Sequence, residues 1–367
     1  MSNKMTLDAI ARKAGVSKGS VSKILNGTAT FSHETTEKVN SLLKKSGHTS
    51  LIRRKTIIVA THATPSALHS INSGEMLGAM LDAAKINKLQ LEFKFIKTEI
   101  GQPPAVSDFE AILAHRPVAM ILDVNYTWDG WESQIFALLE KARFPILQVG
   151  IDNQWPNLSS LVFDSYEGTL AGLHKLIAQG HRRIATLRWQ FSKENKQVLP
   201  RNSEKKHQAY KDALRSANIG LREDYIKTLF HLEDGFKHGC TKQMVLEMLN
   251  LKEPPTAVFV ENAICCLPLI FPSAQDHGRL PAEFYRTHFI CFEDERMQQE
   301  IHSLQNNFGY KIPNLTFISP NYSRLGTDAI GEISNLFKNK FSAKKTNSTL
   351  LPEIVEMQQS AHAILRP

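Results

Sequence analysis

The sequence predicts two folds in succession. An all-α helix-turn-helix headpiece comes first, and a two-lobed α/β body follows, each lobe built on a parallel, Rossmann-like sheet. Three observations predict this. Residues 11–26, ARKAGVSKGSVSKILN, read as the end of a helix, a tight turn at Gly15 and a second helix. Beyond residue 55, short apolar runs alternate with helix-length amphipathic segments. Charge is segregated as well. Residues 1–55 hold eleven Lys and Arg against only Asp8, Glu34 and Glu37, so the +8 of the whole chain resides in this head and the body is neutral.

In the headpiece, Thr6 is placed to cap the first helix and Ser17 the second, where each side chain accepts from backbone N–H groups that lack helical partners. Leu7, Ile10, Ala11 and Ala14 share one face, as do Val21, Ile24 and Leu25. The opposite face of the second helix carries Lys18, Gly19, Ser22, Lys23 and Asn26. Small polar and basic side chains opposite an apolar stripe suit a helix that enters the DNA major groove. Ser32 caps a third helix over about 33–46, and Gly47 ends it. A basic head on a neutral body is the electrostatic footprint of a nucleic-acid binder with a separate second function. A short, basic link, 49–55, follows.

The body then begins. TIIVAT (56–61) reads as a buried strand, 73–88 as a helix, 89–96 as a strand and 106–115 as a helix. VAMILDV (118–124) is a strand, 131–142 a helix, and PILQVG (145–150) a strand. The pattern restarts with a strand at 160–163, a helix at 166–179 stopped by Gly180, and the strand RIATL (183–187). Helices at 205–217 and 240–249, strands at 255–260, 288–292 and 315–319, and a final helix at 325–338 complete it. Right-handed βαβ units of this kind form parallel sheets, which bind ligands at strand C-terminal ends. The expected division is a headpiece at 1–48, a link at 49–55 and a body at 56–367. Within the body, an N-lobe of about 56–162 and 290–319 faces a C-lobe of about 163–289 and 320–367.

Several stretches resemble one family across essentially the whole chain, the lactose-repressor/galactose-repressor (LacI/GalR) transcriptional regulators. They are TLDAIARKAGVSKGSVSKILNG (6–27), FSHETTEKV (31–39), VFDSYEGTLAGLHKLIAQGHRRIATL (162–187), PPTAVFVEN (254–262), FICFEDE (289–295) and LTFISPNYSRLG (315–326). The resemblance implies a body like that of periplasmic sugar-binding proteins and a small molecule in the interlobe cleft that changes operator affinity. It places Lys18 and Gly19 where the family reads base edges; Lys18 either bonds guanine O6 and N7 or holds a phosphate. It matches Thr6, Ser17, Ser22, Lys23 and Asn26 to positions that anchor phosphates or orient the helix. Arg53 and Arg54 are expected on phosphate or in the minor groove.

Two departures stand out. The link is several residues shorter than the family's hinge, and Ser50 replaces its proline, so weaker kinking at the operator centre is expected. In the cleft, Lys206 stands where the family often has an arginine, which keeps the charge but loses the bidentate fork. The family's Asn-Asp pair is here Asn262-Ala263. The other expected wall residues are His62, Asp123, Asn125, Asp152, Phe163, Trp189 and Asn321. For Phe163 a core position is the first reading and ligand stacking the second.

No Ser/His/Asp set, paired carboxylates or phosphate-cradling glycine loop appears with supporting context, so neither catalysis nor a cofactor is expected. Cys240, Cys265, Cys266 and Cys291 have no zinc spacing, and no metal is expected. Without a signal segment or an apolar run of membrane-spanning length, a cytoplasmic location is expected. The expected partners are double-stranded DNA with a near-palindromic operator, a second copy in a homodimer, and an effector that is a sugar, a sugar derivative or a nucleoside or purine. The tail after 350 has no leucine heptads to build a tetramer. A solute-binding protein or sugar-processing enzyme sharing the body is the competing class, and a DNA binder without a small molecule is the third.

Overall fold

The computed structural model describes residues 5–26, 31–46, 56–62, 71–96, 105–114, 117–123, 127–128, 131–142, 144–151, 155, 158–191, 197–198, 201–231, 238–261, 280–292, 314–338 and 346–356. The headpiece holds α1 (Leu7–Ala14), α2 (Lys18–Asn26) and α3 (His33–Lys45). Thr6 Oγ1 accepts from the Ala9 N–H at 3.3 Å and starts α1. Gly15 ends it at φ +74°, a left-handed conformation that an L side chain adopts only with strain, and its N–H returns to the carbonyls of Ala11 and Arg12. Ser17 and Ser32 cap α2 and α3, accepting from Ser20 N–H at 3.0 Å and Thr35 N–H at 3.2 Å. Ile10, Ala11, Ala14, Val21, Val39 and Leu43 form the buried core that the apolar stripes predict.

The body begins with β1 (Thr56–His62), α4 (Ile71–Ile86), β2 (Gln90–Ile96), α5 (Val106–Ala114), β3 (Ala119–Asp123) and the short β4 (Thr127–Trp128). After these come α6 (Trp131–Leu139), β5 (Ile146–Ile151), β6 (Ser159–Phe163) and α7 (Ser165–Ala178). The second half holds β7 (Ile184–Phe191), β8 (Gln197–Val198), α8 (Arg201–Ser216), β9 (Ile226–His231), α9 (His238–Leu249), β10 (Ala257–Val260), α10 (Ala282–Arg286) and β11 (His288–Phe292). It ends with β12 (Asn314–Ser319), α11 (Tyr322–Lys338), β13 (Asn347–Leu350) and β14 (Glu353–Glu356).

Among the described residues, two six-stranded sheets form. The first runs β13-β6-β5-β3-β1-β2 with parallel pairing throughout. The second runs β14-β12-β11-β10-β7-β9 and is parallel except for β14, which lies antiparallel to β12. The central strands of each sheet, such as β3 and β10, are buried on both faces, as helices on both sides require. In β1, Ile57 and Val59 enter one core while Ile58 and Ala60 enter the other. This alternation is why the strand reads as one unbroken apolar run.

The lobe boundaries differ from the expected ones. Strands β11 and β12 belong to the second lobe, because they continue the parallel ladder from β10. Helix α11 belongs to the first lobe, where Leu325, Ala329, Ile330 and Ile333 pack with Met76, Met80 and Ala83 of α4. Gly326 makes that packing close, since a Cβ there would collide with the Met76 carbonyl oxygen. The chain thus crosses between lobes after β6, after β12 and again between β13 and β14.

Candidate nucleic-acid interface and interlobe cleft

Helix α2 buries Val21 and turns Lys18, Gly19, Ser22 and Lys23 outward. Ser17 Oγ, besides capping, shares a 2.9 Å hydrogen bond with Ser20 Oγ, and Thr6 remains an exposed cap. Both hydroxyls therefore face solvent at helix N-termini, where the helix dipole favours anions such as phosphate. Lys18 is not a lone cation. Its Nζ lies 2.9 Å from Asp8 Oδ2 on α1, with the two side chains 63% and 51% exposed. Asn26 closes α2, but its side chain lies outside the described residues, as do Arg53 and Arg54 altogether.

In the body, the C-terminal strand ends of the two sheets point toward each other. Strand β4, four residues past β3, pairs antiparallel with β8, six residues past β7. Thr127 lies opposite Val198, and Trp128 opposite Gln197. A ribbon between loops from different lobes requires the ends of β3 and β7 to face a common cleft. This is where open parallel sheets place ligands.

The first wall carries Thr61, which donates at 2.8 Å to Asp123 Oδ2 across the β1–β3 register. Asp123, 5% exposed, is thus fixed at the cleft end of its strand. For His62 and Trp189, backbone at the ends of β1 and β7 agrees with a wall position, and their side chains lie outside the described residues, as do Asn125, Asp152 and Asn262 entirely. Two expected wall residues are corrected. Phe163 is 1% exposed and sits in the first-lobe core, edge-on to Tyr322 at 6.2 Å between centroids; it ends β6 on the face that α11 covers. Asn321 is the N-cap of α11, its Oδ1 accepting from the Arg324 N–H at 3.0 Å.

The second wall is charged and largely buried. Lys206 on α8 is 5% exposed. Its Nζ donates to the Glu261 carbonyl oxygen at 2.9 Å and stands 4.0 Å from the centre of the Phe292 ring. Glu261, directly after β10, is 1% exposed, with Oε1 3.7 Å from Arg188 Nε and 3.8 Å from His207 Nδ1. Arg188 also donates to Glu204 at 3.3 Å. Burial, and then the charges of Arg188 and Lys211, hold the His207 pKa down to about 4, so the ring is neutral near pH 7. Lys206 therefore fastens α8 to the sheet through a protein carbonyl. Arg188, His207 and Glu261 escaped the sequence reading. The signals were a charge inside RIATLRW and an acid abutting the apolar run AVFV.

Residues 6–50 match the family model of bacterial regulatory proteins, lacI family. The similarity continues past that segment. The HTH-type transcriptional repressor PurR of Mannheimia succiniciproducens is 23% identical over 353 residues, covering 95% of this chain and 97% of that protein. Residues 6–50 thus carry the helix-turn-helix of that family, and the rest of the chain is similar to its regulators over nearly its whole length. The catabolite control protein A of Priestia megaterium, 24% identical over 368 residues, spans 97% of this chain and 99% of its own length. Among solved structures, the lac repressor bound to ONPG in its repressed state superposes with a TM-score of 0.64 at 19% identity, covering 97% of this chain and 99% of that one. The transcriptional regulator CelR in complex with cellobiose superposes with a TM-score of 0.60 at 17% identity, covering 96% and 99%. The fold of this chain is thus the one these solved structures share. Among the described residues, no helix is long and apolar enough to cross a membrane, and no cluster of three metal-ligating side chains forms.

Proposed function

We propose that this protein is a cytoplasmic repressor of the lacI family whose homodimer binds a near-palindromic operator, one headpiece per half-site, with α2 in the major groove. A sugar, sugar derivative, nucleoside or purine in the interlobe cleft modulates that affinity. The observation that carries the reading is the exposed polar and basic face of α2, on a headpiece holding the chain's net charge. Lys18 and Lys23 neutralise phosphates or reach base edges, while the Ser17 hydroxyl and the α2 N-terminus receive phosphate oxygens. Arg53 and Arg54 extend the basic surface toward the operator centre. In the body, a ligand bound between the lobes shifts their closure, and with it the spacing of the two headpieces.

The test is direct binding of the full-length protein to duplex libraries at several salt concentrations. Selective binding that weakens steeply between 50 and 200 mM salt is expected, roughly a thousandfold for about six phosphate contacts. Binding without sequence preference would refute a regulator. Thermal-shift screening against sugars, sugar phosphates, nucleosides and purines then tests the effector. A second reading, a regulator governed by a protein partner, is favoured by Lys206, since its ammonium is already held by Glu261 and Phe292. A melting shift with any compound class removes that reading.

A further inference from the structure

The headpiece holds one charge that a DNA-binding role leaves unexplained. Asp8 is the only acid in α1 and α2. A carboxylate beside a phosphate backbone weakens binding by repulsion. The dipole of α1 favours an acid in its first turn, but this does not account for a side chain that reaches across to the first residue of α2. Asp8 Oδ2 and Lys18 Nζ are 2.9 Å apart and both groups are more than half exposed. Wherever α2 presents Lys18, it presents Asp8 beside it.

The pair has a specific chemical complement. An ammonium carries three donors; one is given to Asp8 and two remain. The carboxylate keeps acceptor capacity on its outer side. In the major groove, a G·C pair shows two adjacent acceptors, guanine N7 and O6, followed by one donor, cytosine N4–H. N4 and O6 are hydrogen-bonded to each other at about 2.9 Å, the spacing of the Lys18–Asp8 pair. An A·T pair shows acceptor, donor, acceptor and then a methyl group. That order separates the two acceptors the ammonium would fill and sets the thymine methyl against the pair.

We propose that Asp8 and Lys18 read a single G·C base pair as one unit, Lys18 on the guanine and Asp8 on cytosine N4, which makes Asp8 a specificity-determining residue. The inference rests on the reading that α2 enters the major groove. The experiment selects duplexes from a randomised library with full-length wild type, Asp8→Ala, Asp8→Asn and Lys18→Ala, sequences the bound pools, and checks each fold by circular dichroism. Wild type is expected to enrich G·C at one position per half-site, with about a tenfold penalty for replacing it. Asp8→Ala is expected to bind all duplexes more tightly while that penalty falls to about twofold. Asp8→Asn, which keeps side-chain size and guards against disturbance of α1, is expected to lose the cytosine preference too. If both Asp8 variants keep the wild-type preference at every position, Asp8 is not a reader and the inference fails alone. If wild type itself enriches no sequence, the regulator reading fails and takes the inference with it.

Discussion

Lys206 carries the sharpest difference between position and role. Family resemblance places it at a ligand grip, and the structure places its ammonium at the carbonyl of Glu261 and over the Phe292 ring. A buried ammonium is costly unless its donors and charge find partners; here the Glu261 carbonyl and the Phe292 ring are two of them. Lys206→Met keeps the packing stem but takes the ammonium donor away from the Glu261 carbonyl. A loss of about 2 kcal/mol in folding stability is expected, read as a lower urea midpoint at an unchanged slope. A variant as stable as wild type would mean that Lys206 is spare for a ligand after all. Asn321 and Phe163 teach the same lesson in milder form. A polar residue before a helix is first a cap, and an aromatic ending an apolar strand is first core.

At the scale of elements, what the sequence made legible depended on whether a feature was local. Gly15, Thr6, Ser17 and Ser32 mark helix ends through their own chemistry, and the structure bears out each of them. The apolar runs TIIVAT and PTAVFV marked buried strands for the same reason. The helix expected at 325–338 forms, but its sequence carries no record of which partner covers its apolar face, and the structure puts α11 in the first lobe and not the expected second. Strands β13 (NSTL) and β14 (EIVE) were missed because short, half-exposed edge strands lack an apolar signature. The cleft wall was half visible: Asp123 and Lys206 could be named, whereas the Glu261 network depends on strand neighbours far apart in sequence. The link is the element with the clearest functional consequence. Seven residues separate His48 from β1; they lie outside the described residues, and their small number against the hinge that the resemblance implies is the ground for expecting weaker kinking at the operator centre. A circular-permutation assay on the selected operator is expected to show a bend well below that of long-hinged relatives, and a bend of equal size would disprove the link argument.

For the whole molecule, the division of charge and the burial of polar groups pull in different directions. The body is neutral overall yet keeps ionisable groups inside the second lobe. His207 lies at the cleft end of that sheet. His288 lies at the opposite end, where its ring meets His181 edge-on at 5.5 Å and bonds Thr316 Oγ1 at 2.8 Å. Burial is the main cause that brings each pKa down to about 4, reinforced at His207 by Arg188 and at His288 by His181. The unfolded chain protonates these rings near 6.5 while the native protein resists until about 4. Between those values the unfolded state binds more protons, so stability falls as the pH falls. The contribution is intact above about pH 6.5 and spent by about pH 4. Urea midpoints at pH 7.5, 6, 5 and 4.5 are expected to decline through this window, and His207→Gln combined with His288→Gln is expected to flatten most of the decline between pH 6.5 and 5. Carboxylates held low by cationic neighbours, such as Asp224 beside Arg222, titrate below that interval and leave the comparison clean. An equally steep decline in the double variant would place the acid sensitivity elsewhere in the chain.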